Sequence, residues 1–286
     1  MQYGPATRKL VRRRWYSVGC EGYNAGRMKM DLSSVGLLAL FPLLLAVVVA
    51  GDSCYSSKTS SATPEGRVDL LESIPHADNA WTEGLLASDG ALWESTGLKG
   101  KSQVRALDEK TGGVLWSVPN DQGFFGEGLV RAFGKTYLLT YTEGKAYLFD
   151  RGAAKPYTPF ASYDGQGWGL TATDKWLVNS NGSSTLYYRD PQSFVIVKQV
   201  SISFEGQPVE MLNELEFDGT YIWANQWQTS YIYRIREADP SQVVRYTLPP
   251  EFCPGGTPNG IAWDDNENAF FLTGQSCPLI WKVRFQ

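Results

Sequence analysis

Histidine is almost absent from this sequence, in which His76 is the single example. Serine–histidine and cysteine–histidine catalysis would both have to use this one residue, and a histidine-rich zinc site cannot be built. His76 precedes the repeated part of the chain, in the segment ESIPHADNAW, where we predict a solvent-exposed turn. We therefore give His76 no role in function.

Helical periodicity and a basic surface are also missing from most of the chain. The net charge is −4, but residues 1–34 contain seven Lys and Arg against two Asp and Glu, which leaves −9 for the remainder. Because a nucleic-acid-binding surface needs a basic face, no nucleic-acid partner is expected. The 29 glycines and the 13% aromatic content instead favour many short strands joined by tight turns.

A degenerate motif occurs five times between Trp81 and the C-terminus. Each copy has a small or polar pair, an aliphatic anchor, a polar turn and a strand rich in aromatic and β-branched residues. The anchors are Leu85, Leu129, Leu170, Leu215 and Ile261, at intervals of 41 to 46 residues. Such a period, with several short strands per unit, is typical of a β-propeller with one four-stranded sheet per blade. The sequence thus predicts an all-β, five-bladed propeller in residues 67–286.

The segments before the repeats have a different composition. Residues 1–50 combine a basic leader with an apolar run at 35–50, VGLLALFPLLLAVVVA. This run is short for a membrane span and suits a signal peptide or a signal anchor, so we expect a secretory-pathway protein that is secreted or membrane-anchored, with the propeller on the lumenal or outer side. Residues 51–66 predict a Ser/Thr-rich linker. Residues 67–75 are expected to pair beside residues 280–285 and so close the ring.

Four cysteines remain, and two of them, Cys20 and Cys54, precede the predicted propeller. The other two, Cys253 and Cys277, both fall in the region of the fifth repeat. An oxidising compartment would permit a bridge between them, but the sequence leaves open whether it forms.

The residues two positions before the anchors are expected to lead the chain into the inner strands around the central channel. They are Glu83, Glu127, Trp168, Asn213 and Asn259, and nearby positions add Glu94, Tyr141, Glu214, Glu216, Asn225 and Trp227. Carboxylates crowded in a mouth of low dielectric cannot all ionise easily, so at least one pKa should rise and permit general acid–base chemistry. A purely structural interpretation also fits, in which Glu accepts backbone N–H bonds and Trp fills a blade interface.

Nine segments in order along the domain carry a resemblance to a known family. They are TEGL (82–85), ESTGLKGKS (94–102), FGEGL (125–129), GWGL (167–170), SNGSS (180–184), LNELEF (212–217), WANQWQT (223–229), NGIAWD (259–264) and TG (273–274). This pattern resembles the plant and bacterial type of glutaminyl-peptide cyclotransferase, a five-bladed propeller enzyme. The resemblance implies conversion of N-terminal glutamine of peptides or proteins to pyroglutamate, with release of ammonia and without a metal ion or other cofactor. A monomer is expected.

The resemblance also implies roles for individual residues. Glu127 is expected to shuttle protons, while Glu83 holds the substrate ammonium or shares the proton. The expected pocket lining is Trp168, Asn213, Glu214, Asn225 and Trp227, to which the mouth positions add Tyr141, Glu94 and Asn259. The chain departs from the family pattern at Tyr141, where Trp is usual, at Gln275 and Cys277, where Lys and Trp are usual, and at Trp81, where Phe is usual.

Two other functions fit a propeller with such a mouth. One is a non-catalytic propeller that binds peptide N-termini or glycans. The other is a calcium-dependent hydrolase of the lactonase type, in which channel Glu and Asn oxygens would bind the ion. Sensitivity to a chelator separates this hydrolase from a metal-independent cyclase.

Overall fold

A computed structural model describes residues 65–120 and 122–286 of the chain. The basic leader, the apolar segment at 35–50, Cys20 and Cys54 lie outside the described residues. Within the described part the regular structure consists of β-strands, with no helix that is long and apolar enough to cross a membrane.

The strands form five sheets that follow the sequence repeats, preceded by β1 (Glu65–Gly66) and β2 (Val68–Pro75). Blade 1 contains β3 (Thr82–Ser88), β4 (Ala91–Thr96), β5 (Gln103–Asp108) and β6 (Val114–Pro119). Blade 2 contains β7 (Gly126–Ala132), β8 (Lys135–Thr140), β9 (Lys145–Phe149) and β10 (Tyr157–Ser162). Blade 3 contains β11 (Leu170–Ala172), β12 (Leu177–Asn179), β13 (Thr185–Arg189) and β14 (Ile196–Ser201).

A small hairpin, β15 (Ser203–Phe204) with β16 (Gln207–Pro208), leads into the second half of the propeller. Blade 4 contains β17 (Leu212–Phe217), β18 (Tyr221–Gln226), β19 (Tyr231–Arg236) and β20 (Val243–Thr247). Blade 5 contains β21 (Thr257–Asp264), β22 (Ala269–Gln275), β23 (Leu279–Phe285) and the early strand β2. The first strands of the blades lie side by side in the order β3, β7, β11, β17, β21 and back to β3. The five-bladed propeller is thus confirmed.

Strand β2 closes the ring, as the sequence predicted. It pairs antiparallel with β23 from Val68 opposite Phe285 to Pro75 opposite Leu279. Closure covers the edge that an open array would expose, and β1 adds a short parallel pairing with β20. The two residues of β1 had been placed at the end of the predicted linker.

The aliphatic anchors of the repeats are the centre of the packing. Leu85, Leu129, Leu170, Leu215 and Ile261 are each at most 1% exposed. They belong to clusters that bridge neighbouring blades, because each inner strand packs against the sheet beside it. Truncating any one of them to alanine should cost about 2–5 kcal/mol of stability.

The start of an inner strand has a β-bulge in four of the five blades. Pairing shifts between Thr82 and Gly84, between Gly126 and Leu129, and at the corresponding points of β17 and β21. A bulge turns the side chain of the extra residue away from the ladder, and here the bulges contain Glu83, Glu127, Asn213 and Asn259. The local irregularity is therefore what directs these polar side chains to the channel mouth.

The glycines that follow Glu127 and Trp168 are required because the backbone of the next blade comes too close for a side chain. A Cβ on Gly128 would lie 2.4 Å from the Leu170 backbone N, and one on Gly169 would lie 2.1 Å from the Asn213 carbonyl oxygen. The Gly–Leu pairs of FGEGL and GWGL therefore mark where one inner strand passes the next.

Cys253 and Cys277 form a disulfide, with their Cα atoms 4.7 Å apart. The bridge ties the loop before β21 to the loop between β22 and β23. The structure thus answers the question that the sequence left open.

Candidate active site

A small pocket opens where the bulged starts of the inner strands meet. Its volume is about 160 Å³, and it is lined by Trp81, Glu83, Leu98, Phe125, Glu127, Tyr141, Trp168, Asn213, Trp227 and Gln275. Pockets for drug-sized ligands span roughly 300–1,000 Å³, so this one suits a single amino-acid side chain. Its lining combines two carboxyl groups and two amides with five aromatic rings.

Glu83 is 2% exposed and is held by neutral donors. Asn259 donates through Nδ2 to Oε2 at 2.7 Å, and Gln275 Nε2 lies 3.0 Å from each carboxyl oxygen. Burial raises the pKa of Glu83 to about 8, even though the hydrogen bonds from Gln275, Asn259 and Trp81 favour the ionised form. At neutral pH this carboxyl group therefore mostly carries a proton.

Glu127 is 5% exposed and stands in the same pocket without the support that Glu83 has. Among the described residues, none donates a hydrogen bond to its carboxyl group. Burial raises its pKa well above the ordinary value, and the charges of Glu83 and Glu143 add to the effect. Its oxygens are available to a bound molecule.

Aromatic side chains form the walls of the pocket. The rings of Trp168 and Trp227 meet edge to face, with centroids 5.5 Å apart, and Tyr141 lies 6.5 Å from Trp168 and 5.5 Å from Phe125. Trp168 is fixed by donating from Nε1 to Gln166 Oε1 at 2.9 Å. The two carboxyl residues beside these rings are at most 5% exposed, and low exposure to solvent strengthens their electrostatic interactions.

Asn213 provides a free acceptor in this wall. The residue is 3% exposed, and its Oδ1 has no hydrogen-bond partner although it is buried. A buried, unpaired amide oxygen is costly, so this oxygen can accept a hydrogen bond from a molecule in the pocket, whether water or ligand.

The structure brings six of the ten predicted site residues to the pocket wall: Glu83, Glu127, Tyr141, Trp168, Asn213 and Trp227. The other four lie elsewhere. Asn259 stands behind Glu83 and supports it, whereas the Asn225 Oδ1 accepts from the Gly260 backbone N at 3.2 Å.

Glu214 reaches across the channel instead of lining the pocket. Its carboxyl oxygens accept from the backbone N of Leu85 at 3.3 Å and of Ile261 at 2.8 Å, in the inner strands of blades 1 and 5. Burial raises its pKa well above the ordinary value, with the charge of Glu216 as a second cause. These contacts fit the structural interpretation, in which Glu accepts backbone N–H groups.

The prediction that His76 lies in an exposed turn is wrong. Its side chain is buried, with Nδ1 2.8 Å from the Cys277 carbonyl oxygen and Nε2 3.1 Å from Glu94 Oε1. Arg105 Nε also donates to Glu94, at 2.5 Å. The turn residues around His76 gave no sign of these partners, which come from distant parts of the chain.

Glu94 therefore belongs to a buried charge cluster and does not line the pocket. Burial alone would raise its pKa, but the hydrogen bond and charge of His76 and the guanidinium of Arg105 lower the pKa to about 2. The cluster joins blade 1 to the loop of blade 5 that contains Cys277, so its contribution is to ring closure.

Sequence reasoning missed four residues of the lining as site residues: Trp81, Leu98, Phe125 and Gln275. A signal for two of them was present, because Trp81 and Phe125 each stand two positions before a pocket carboxyl residue. Gln275 was noted only as a departure from the family pattern.

No group of three or more His, Cys, Asp and Glu side chains in residues 65–120 and 122–286 is arranged to hold a metal ion. The two buried carboxyl groups of the pocket can transfer protons, and its amides can form hydrogen bonds.

Residues 43–285 match the model of the family described as glutamine cyclotransferase. The chain belongs to this family. A curated glutaminyl-peptide cyclotransferase from Arabidopsis thaliana is 33% identical over 229 residues, covering 77% of this chain and 71% of that protein. The crystal structure of the Myxococcus xanthus glutaminyl cyclase superposes with a TM-score of 0.67 at 30% identity, covering 78% of this chain and 98% of that one. The resemblance drawn from the nine sequence segments is confirmed.

Proposed function

We propose that this protein is a glutaminyl-peptide cyclotransferase that converts N-terminal glutamine of peptides or proteins to pyroglutamate and releases ammonia. Membership of the glutamine cyclotransferase family supports the reaction class. The observation that carries the proposal is the pair of buried carboxyl groups, Glu83 and Glu127, in a pocket the size of one side chain. A site that only bound peptide ends would not need two buried acids, which are costly to keep.

The reaction rearranges bonds within one residue of the substrate. The α-amine nitrogen attacks the carbonyl carbon of the side-chain amide, and the bond from that carbon to the amide nitrogen then breaks. The amine, which begins as an ammonium group, loses two protons, and the leaving nitrogen gains two and departs as ammonium. Because attack is intramolecular, the enzyme mainly has to select a curled conformer and move protons.

Glu127 is the proton carrier in this scheme. Its carboxyl group has no donor of its own among the described residues, so it is free to accept from the amine and donate to the leaving nitrogen. A raised pKa suits a group that must both take and give a proton near neutral pH. Glu83, held in place by Gln275 and Asn259, shares the proton and faces the substrate ammonium.

The remaining wall positions the glutaminyl side chain. The unpaired Oδ1 of Asn213 accepts a hydrogen from the substrate, while the rings of Trp168 and Trp227 hold the side chain curled against the carboxyl groups. Tyr141 adds a hydroxyl to the aromatic wall, so it is the residue with which we associate differences in substrate preference.

The test is ammonia release from a short peptide that begins with glutamine, measured with the full chain in the presence and absence of EDTA. Chelator-resistant release is expected, because the proposed steps use carboxyl groups and no metal. Glu127→Gln should reduce kcat at least 100-fold, since general acid–base catalysis contributes roughly 100- to 10,000-fold. Glu210→Gln, at an exposed carboxylate, is the matched control and should retain the parent rate.

The outcomes separate the candidate functions. Release that EDTA abolishes would favour the metal-dependent hydrolase class, and a folded parent without release would favour a binding propeller. Full activity in the Glu127→Gln variant would refute the proton-carrier role while leaving the reaction itself in place.

We further propose a monomer of the secretory pathway, directed there by the apolar segment at residues 35–50. The disulfide between Cys253 and Cys277 supports an oxidising compartment. Cell fractionation with N-terminal sequencing of the recovered protein tests this. Recovery of an uncleaved chain in the cytosol would contradict it, and carbonate extraction distinguishes a secreted from an anchored form.

A further inference from the structure

We propose that Gln275 is a positioning residue for the reaction, which orients the Glu83 carboxyl group and sets the pH at which that group ionises. The inference rests on the proposed function for its catalytic consequence. Its structural part concerns only the contacts among Gln275, Glu83 and Trp227, and it is tested separately below.

The hydrogen bonds of Gln275 fix the direction of its amide. Nε2 lies 3.0 Å from both Oε1 and Oε2 of Glu83, so one amino group holds both carboxyl oxygens. The Gln275 Oε1 accepts from Trp227 Nε1 at 3.3 Å. Because an indole only donates, Trp227 requires the oxygen end of the amide to face it and leaves the amino end to face Glu83.

The backbone leaves Gln275 little freedom to move. It is the last residue of β22, pairs with Thr257 of β21 and forms an isolated bridge with Trp81. A Cβ on Gly256 would lie 2.4 Å from the Gln275 carbonyl oxygen, so the adjacent loop packs directly on its backbone. Two residues later, Cys277 is tied by the disulfide to Cys253.

In the part of the chain that the structure describes, no cation contacts the Glu83 carboxyl group. Its remaining donors, Asn259 and Trp81, are neutral, and Glu127 is an acid in the same pocket. The nearby charged groups outside the pocket are engaged elsewhere: Glu214 accepts from backbone N–H groups, Glu143 pairs with Lys99, and Glu94 holds His76 and Arg105. Gln275 is the first-named of the donors that favour the ionised form, and its amino group contacts both carboxyl oxygens, so a change at position 275 should shift the ionisation of Glu83.

Two substitutions of similar length change this contact in opposite directions. Gln275→Met removes both donated hydrogen bonds, which favour the ionised carboxyl group, so ionisation should require a higher pH. Gln275→Lys places an ammonium group beside the carboxylate, and a cation in contact typically lowers the pKa of an acid by 1–3 units. The expected order of the ionisation midpoint is therefore Met above Gln above Lys.

The first measurement is the pH profile of kcat/KM for ammonia release from a glutamine-initiated peptide, from pH 5 to 10, with the full chain. The ionisation of the substrate amine is the same for all variants. A difference between variants in the low-pH side of the profile, the acid limb, therefore reports an ionisation of the enzyme. The limb should move to higher pH in Gln275→Met and by about one unit or more to lower pH in Gln275→Lys. Gln192→Lys adds the same charge at an exposed turn and should leave the limb in place.

The second measurement needs no activity. The free energy of unfolding is followed against pH in urea for the parent and both variants, and the pH region in which stability declines should shift in the same order. Equal midpoints in all three proteins would overturn the inference even if the parent is active. Shifted midpoints in a parent that releases no ammonia would retain the structural inference and refute the proposed function.

Discussion

The substitution Glu83→Gln should remove activity, and its stability relative to the parent protein should increase as the pH rises. The pKa of Glu83 is about 8 in the folded protein, whereas the ordinary pKa of a glutamate, 4.5, applies in the unfolded chain. Because the folded value is the higher, the stability linked to this group is complete below pH 4.5 and is lost as the pH rises through 8. A glutamine at this position does not ionise and so does not lose it.

The magnitude follows from the linkage between proton binding and stability. The unfolding free energy of the parent falls by about 1.4 kcal/mol for each pH unit over which the Glu83 carboxyl group is ionised in the unfolded chain but protonated in the folded protein. Between pH 5 and pH 8 the difference in unfolding free energy between variant and parent should therefore grow by roughly 3 kcal/mol in favour of the variant. A constant offset of about 1 kcal/mol is expected from a lost hydrogen bond to Gln275, but it does not change the slope.

The assay is urea unfolding of both proteins at several pH values from 5 to 8, read by tryptophan fluorescence. Raised pKa values of Glu214 and Glu216 also give pH dependence, but both proteins contain these groups and their contributions largely cancel in the difference. The charge of Glu83 helps to raise the pKa of Glu127, but Glu83 carries little charge below pH 8, so this coupling adds little over the pH range measured. Glu72→Gln, at an exposed carboxylate of β2, is the control. Parallel curves for the Glu83→Gln variant and the parent would refute the view that Glu83 is held protonated in the folded state.

Other predictions follow from the same structure. Glu94→Gln should destabilise the protein by about 3–5 kcal/mol at pH 7 in urea unfolding, because it leaves the buried charge of Arg105 uncompensated. In the parent, the stability linked to Glu94 should be present above pH 4.5 and fall by roughly 3 kcal/mol as the pH approaches 2, since its folded pKa is lowered to about 2. Asn213→Leu should raise KM or lower kcat about tenfold with little loss of stability, because its buried Oδ1 has no partner to lose. Replacing Cys253 and Cys277 with serine should cost about 3 kcal/mol, the chain-entropy value for a loop of 24 residues.

The repeat period and the anchors were sufficient to predict the fold. Leu85 and its four counterparts recur at a spacing that, together with several short strands per repeat, is typical of propeller blades, and each is buried in the structure. The closing strand was predictable for the same reason, because a ring of sheets leaves one edge that an early strand can cover. These inferences depend on patterns that are local to each repeat.

The site was only partly predictable because its partners are distant in sequence. The two pocket acids occupy the same position in their repeats, but the side chains of neighbouring polar residues point in different directions. Glu214 directly follows Asn213, yet its side chain crosses the channel to β3 and β21 while Asn213 lines the pocket. His76 bonds to Glu94 and to the Cys277 carbonyl, 18 and 201 residues away along the chain. The turn-like sequence around His76 cannot reveal such distant partners, so the prediction that His76 is exposed was wrong.

The two ends of the strands differ in how well their polar groups are satisfied. The third strand of a blade repeatedly leads into a turn in which an aspartate accepts backbone N–H groups, as at Asp108, Asp150 and Asp190. The opposite ends carry the bulges, the buried acids Glu83 and Glu127 and an unpaired amide oxygen. Sequences normally keep local structure and polar satisfaction consistent, and they depart from this at functional sites. The two buried acids and the unpaired Asn213 amide oxygen lie in one pocket of side-chain size, and this convergence supports the proposed site.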